Sequence, residues 1–255
     1  MKMKALVAVL VLGMIFAASV AVAGTSKSAG DMQDLTIGQL TTLVQKLGGP
    51  TVVKDILNNK LKVRVEATAP NSAVLDPTLA AWQSFYHDYL GLDVDLSAVV
   101  IPPHQPGFDQ VIVVPQGLTL NQVVAAMRNH FSVYPYVNDL DRDVPINERD
   151  PKAGSYAIRV RNRVEADEEL KNLSADQVKQ LGLTTLTLLE RLVYELKYYS
   201  ETQSHLDISS VTRCDGSRRS GGSVPCVYWF DDELFVYWFS SGYSSGGIRA
   251  RSAVR

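Results

Sequence analysis

The strongest constraint on the fold lies near the carboxyl end, where two aromatic segments face each other across a short turn. Val224 to Phe230 and Leu234 to Phe239 read as strands, and Asp231-Asp232-Glu233 between them reads as a hairpin turn. Strand alternation places Tyr228 and Phe230 on one face and Trp229 on the other, against Phe235, Tyr237 and Trp238 on the partner strand. Both faces are therefore apolar. The plainer expectation is burial, with the long helix upstream covering one face and a neighbouring element the other. If one face stays open, Tyr228, Trp229, Tyr237 and Trp238 form a ring platform for a sugar or peptide.

The rest of the chain is punctuated by helix caps. Thr36 with Gln39 fits a capping box, and Gly48-Gly49 ends that helix. Pro50 suits the first turn of a second helix, and Leu61 to Glu66 alternates as a strand, giving a small helical unit over 36–66. Asp76-Pro77 starts a helix through Trp82 and Leu90, Val111 to Val114 is an apolar strand, and Thr119 with Gln122 caps another helix. Residues 131–154 read as irregular, closing a mixed α/β region over 76–150. Tyr156 to Arg161 alternates as a strand, Ser174 with Gln177 forms a third box, and the longest helix spans about Thr185 to Tyr199. Ile248 to Val254 offers a further strand, which completes an α+β region over 155–255. The fold class expected is α+β: a small amino-terminal helical unit, a mixed α/β middle and a carboxyl-terminal antiparallel β element with the aromatic hairpin.

The amino terminus carries the pattern of a cleavable secretory signal. Lys2 and Lys4 precede an uncharged run from Ala5 to Val20, and Ala21-Val22-Ala23 leads into Gly24. Residues 1–23 are read as the signal and 24–35 as a polar tail, so the chain is expected to be exported and to meet the membrane only in transit. Loss of Lys2 and Lys4 moves the formal charge from −2 to −4. The remaining charges are mixed in sign, which argues against a nucleic-acid partner. In an oxidising compartment the only cysteines, Cys214 and Cys226, are expected to form a disulfide.

No motif for a nucleophile, a phosphate loop or a zinc protease occurs, and no cofactor is implied. Asp139, Asp141, Asp143 and Asp150 have the spacing that opens a calcium loop. Val144 stands where that loop needs Gly, Pro145 follows, and Asp150 replaces the bidentate Glu, so a solvated acidic loop is the preferred reading. Glu165 and Asp167, among the acids after the 156–161 strand, are the carboxylates a polymer hydrolase would use.

Several stretches resemble a recurrent group of bacterial proteins with no assigned activity. They are Gly154 to Val160, Val164 to Ala175, Leu188-Leu189-Glu190-Arg191, His205-Leu206-Asp207 and the closing Arg249-Ala250-Arg251-Ser252-Ala253-Val254. The resemblance spans residues 80–255, and the unit at 36–66 resembles a module found among such proteins. It implies no ligand, cofactor or catalytic residue. The sequence thus points to an exported, non-enzymatic interaction module for a protein or glycan ligand. The alternatives are a hydrolase of cell-surface polymers and a structural part without a ligand.

Overall fold

The computed structural model describes residues 44–45, 49–58 and 75–255. The secretory signal, the polar tail, the Thr36–Gln39 box and the strand at 61–66 lie outside these residues. The chain divides into two compact units, Met1–Ala73 and Val74–Arg255. Of the first, the helix α1 (Pro50–Leu57) is described, and proline opens it because its missing N–H is not needed there.

The second unit is α+β. Its first helix, α2 (Pro77–Leu90), starts where the Asp76 carboxylate accepts from the Thr78 N–H, and it stops at Gly91 in the left-handed region (φ 65°). Trp82, Phe85 and Tyr86 turn inward, and the Tyr86 hydroxyl donates to the Val113 carbonyl at 2.6 Å. Strands β1 (Gln110–Val114), β4 (Tyr156–Val160) and β10 (Ala253–Val254) form an antiparallel sheet in the order β1-β4-β10. Helix α3 (Leu120–Met127) begins at the full Thr119–Gln122 capping box that the sequence announces. The same holds for the short α5 (Ala175–Gln180) and its Ser174–Gln177 box.

The segment expected to be irregular is not. It contains β2 (Ser132–Pro135), the single-turn α4 (Leu140–Asp143) and β3 (Ile146–Asn147), which pairs with β6 (Ser217–Arg218). β2 is short, and its partner lies about a hundred residues downstream, so local patterning carries no trace of the pairing. It runs parallel to β8 (Glu233–Phe239), which forms the expected hairpin with β7 (Val224–Phe230). With β5 (Val211–Arg213) and β9 (Ile248–Arg249) they make a mixed five-stranded sheet in the order β2-β8-β7-β5-β9. The strand expected over 248–254 is thus split, with β9 in this sheet and β10 in the other.

The longest helix, α6 (Leu188–Thr202), ties the layers together. It packs on α3, on β1 of the small sheet and on β7 of the large one. Its start is fixed by a capping box between Thr187 and Glu190. Glu190 is fully buried and also receives Arg149 at 2.5 and 2.7 Å and the Tyr156 hydroxyl at 3.0 Å. Leu188, Leu192, Val193 and Leu196 join Ile112, Ile158, Val227, Leu234 and Val236 in one core.

Candidate functional site

The register of the large sheet decides what each face carries. Cys226 pairs with Tyr237, Tyr228 with Phe235, and Phe230 with Glu233, so these side chains share one face. Parallel pairing sets Tyr134 beside Phe235 on that face. The opposite face holds Val133, Val227, Leu234 and Val236, all buried, and α6 packs there. Half of the burial expectation is therefore met. The other half is met only at one end: Arg213 and Cys226 are buried on the second face, while its rings from Tyr228 to Phe239 are half-buried or exposed.

Those rings are continuous. Centroids lie 5.2 Å apart for Tyr228–Phe235, 5.8 Å for Tyr134–Phe235, 4.9 Å for Tyr134–Tyr136 and 4.6 Å for Tyr136–Tyr237. The row continues through Tyr237–Phe239 at 5.7 Å and Phe239–Tyr243 at 5.0 Å. Tyr134 and Tyr136 are each 47% exposed, Tyr243 46% and Phe230 67%. Trp238 has the opposite strand parity, yet its ring lies 5.2 Å from Tyr237 at 12°, and the Arg219 guanidinium sits 3.5 Å over it. The Asp143 carboxylate grips that guanidinium through two contacts, at Nε and at Nη2. Of the four aromatics expected as ligand contacts, Tyr228 and Tyr237 lie in the row and Trp238 borders it. Trp229 does not belong to it, because alternation turns it to the covered side.

Trp229 instead stacks on His205, with centroids 3.4 Å apart and planes at 6°. Tyr199 flanks the imidazole at 5.2 Å and Phe131 meets it edge-on at 4.9 Å. His205 Nδ1 lies 2.9 Å from Glu195 Oε1, and since a carboxylate only accepts, Nδ1 carries the proton. Glu195 Oε2 receives Arg191 Nη1 at 2.7 Å. Arg191 Nε donates to Asp207 at 2.9 Å; its Nη2 lies 2.8 Å from the same carboxylate but is misaligned, making a charge contact only. Asp207 also accepts from Arg251 at 2.7 Å and from the Thr212 hydroxyl. Arg191, Glu195, Asp207 and Arg251 are essentially without solvent contact. Two cations and two anions balance, which is what makes so much buried charge tolerable. Burial alone would lift the Asp207 carboxyl, but Arg251 and Arg191, with the Thr212 hydroxyl, outweigh it and hold it below the usual carboxylate range. Sequence reading missed this relay; the signal available was Arg191 and Glu195, one helical turn apart within an apolar stripe.

The remaining expected sites come apart. Cys214 and Cys226 are buried free thiols rather than a disulfide. Arg213, not Cys214, stands opposite Cys226, so adjacent-residue alternation sends the two thiols to opposite faces of the sheet. Burial pushes the Cys214 thiol well up and the Cys226 thiol to about 12, so neither forms a thiolate easily. The four aspartates do not converge. Asp139 caps α4 and holds Asn121, Asp141 accepts from the Leu120 and Asn121 N–H groups, Asp143 holds Arg219, and Asp150 accepts from the Lys152 N–H. Among the described residues, no three His, Cys, Asp or Glu side chains are placed to share a metal ion. Glu165 accepts from Ser209 and Ser210, while Asp167 is buried against Arg161 and the Ser252 N–H. Each carboxylate is engaged in holding a loop, and no cleft among those described includes either.

No family model, curated protein or solved structure matches the chain. The functional reading therefore rests on geometry.

Proposed function

We propose that this chain is a binding module that holds a neutral glycan chain against the outer aromatic face of its five-stranded sheet. The observation that carries the reading is the uncovered row of rings from Tyr228 through Phe235, Tyr134, Tyr136 and Tyr237 to Phe239, with similar spacing at each step. A repeated series of like rings suits a polymer that repeats a like surface, and each pyranose offers an apolar C–H face with hydroxyls at its rim. Tyrosine matches this with a flat body and one polar tip. The row itself contains no cation, which disfavours a polyanion. Pairing along the sheet edge is also disfavoured, since β9 has two residues and β2 is short and ends in a proline. The signal-like residues 1–23 support an exported setting, where polysaccharides are met.

The test is co-sedimentation of the full chain with insoluble neutral polysaccharides, compared with a Tyr136→Ala/Tyr237→Ala double variant. Losing two stacked rings at roughly 1 kcal/mol each weakens binding about thirtyfold. Equal retention of both proteins, or retention of neither, contradicts the reading. Retention only in the presence of a protein partner would turn the face into a protein interface.

A further inference from the structure

We propose that a small cleft at the start of α3 binds a free α-amino acid with a short aliphatic side chain, at a site none of the ring row lines. Its walls come from two stretches of chain. The turn after β1 runs through Gly117 and Thr119 into α3, and against it lie α4, β3 and the turn at 150–152. The Gly117 N–H donates to the Pro151 carbonyl at 3.2 Å, and Asp141 accepts from the Leu120 N–H at 2.7 Å, so the two walls are tied together. Helix α6 contributes Leu189. The space is about 160 Å³, well below the roughly 300–1,000 Å³ of sites for drug-sized molecules, so its occupant is small.

The lining combines a buried apolar part with charged groups that are not fully committed. Leu118, Val144 and Leu189 are buried, and so is Arg149, whose side chain is 6% exposed. Glu190 holds its Nε and Nη2 at 2.5 and 2.7 Å, and the Thr185 carbonyl also accepts from Nη2. Nη1 is left over. Among the described residues it makes no hydrogen bond, only a 3.7 Å charge contact with Glu148, and it is not sealed from solvent. A guanidinium N–H pair left free in a largely apolar wall is best answered by an anionic oxygen. The exposed lining adds to this. Lys152 makes no ion pair among the described residues, and the Thr119 hydroxyl accepts from the Gln122 N–H without donating to any of them. Asp141 accepts from the Leu120 and Asn121 N–H groups and Asp150 from the Lys152 N–H, which leaves each carboxylate with free lone pairs.

Charge selects the ligand. Asp141, Asp150, Glu148 and Glu190 already outnumber Arg149 and Lys152 here, so a simple carboxylate would add one more anion to an anionic surround. A simple amine would leave Arg149 Nη1 unanswered. An amino acid carries both charges and no net charge. Its carboxylate goes to Arg149 Nη1 and Lys152 Nζ, its ammonium to Asp141 and Asp150, and its side chain to Leu118, Val144 and Leu189. The size of the cleft limits that side chain to a few carbons.

The experiment titrates the isotope-labelled full chain with L-valine at millimolar concentrations and follows the backbone amide shifts. Saturable shifts centred on residues 117–120, 141–152 and Leu189 are expected. N-acetyl-L-valine and L-valinamide, each lacking one of the two charges, are expected to bind at least about tenfold more weakly. Lys152→Ala is expected to weaken L-valine by a similar factor at an unchanged melting temperature, because its ammonium holds nothing among the described residues. The Tyr136→Ala/Tyr237→Ala variant is expected to bind L-valine as wild type does, so this result is independent of the glycan reading. Absence of saturable shifts, shifts centred elsewhere, or an affinity that Lys152→Ala leaves unchanged overturns the proposal. Equal affinity for either blocked analogue also overturns it, since the paired charges would then not be what the cleft recognises.

Discussion

Replacing Asp207 with Asn removes one charge from the buried relay while keeping the side chain's shape. The carboxylate now receives Arg191, Arg251 and Thr212; after the change Arg191 keeps Glu195, while Arg251 keeps only the Thr212 hydroxyl and the Arg163 and Val164 carbonyls, with no carboxylate. Breaking one partner out of a buried ion pair costs about 3–5 kcal/mol, because a cation is left without compensation. For a unit of this size each kcal/mol shifts the melting temperature by about 2–4 °C, so the variant is expected to melt about 10 °C lower. The effect has a pH signature. A carboxyl held low in the folded chain stabilises above its unfolded value near pH 4, and that contribution fades as pH falls through the lower folded value. Wild type and variant are therefore expected to converge in acid. Thermal and urea unfolding from neutral pH downward, followed by circular dichroism, reads both effects. A difference below about 1 kcal/mol at neutral pH, or one that grows in acid, would refute the network as a mutually compensated unit.

Two further outcomes follow from the packing. Native protein is expected to give no reaction with a thiol reagent, and both Cys214 and Cys226 to react once it is unfolded without reductant; a chain that stays unreactive when unfolded would carry the bond that the strand register denies. Gly216→Ala is expected to destabilise by about 1–3 kcal/mol, since an added Cβ would meet the Leu186 and Thr185 carbonyl oxygens at 3.1 Å. Unchanged urea unfolding would show that this turn can yield.

Local patterning made much of the fold legible. The caps at Asp76, Thr119 and Ser174 and the β7–β8 hairpin stand where propensity and spacing put them, because each is decided within a few residues. What escaped is long-range. The ring row depends on β2 reaching β8 in parallel, and a four-residue strand has too little pattern to announce itself. Tyr134 and Tyr136 were thus invisible as members of the face that Tyr228 and Tyr237 suggested. The disulfide expectation failed for a similar reason. Closeness in sequence within a secreted-looking chain favours a bond, but a register of Arg213 against Cys226 separates the thiols across the sheet. His205, Glu195 and Asp207 were readable only as single polar residues, and their meaning comes from α6 and the following loop meeting in the interior.

The most direct measurement is amide hydrogen exchange on the full chain, with and without a soluble neutral oligosaccharide of a retained polymer. Slowed exchange confined to residues 132–137 and 226–243 is the expected result, since those segments carry the ring row. Protection elsewhere, or none in these segments at saturating ligand, would contradict the aromatic face as the binding site.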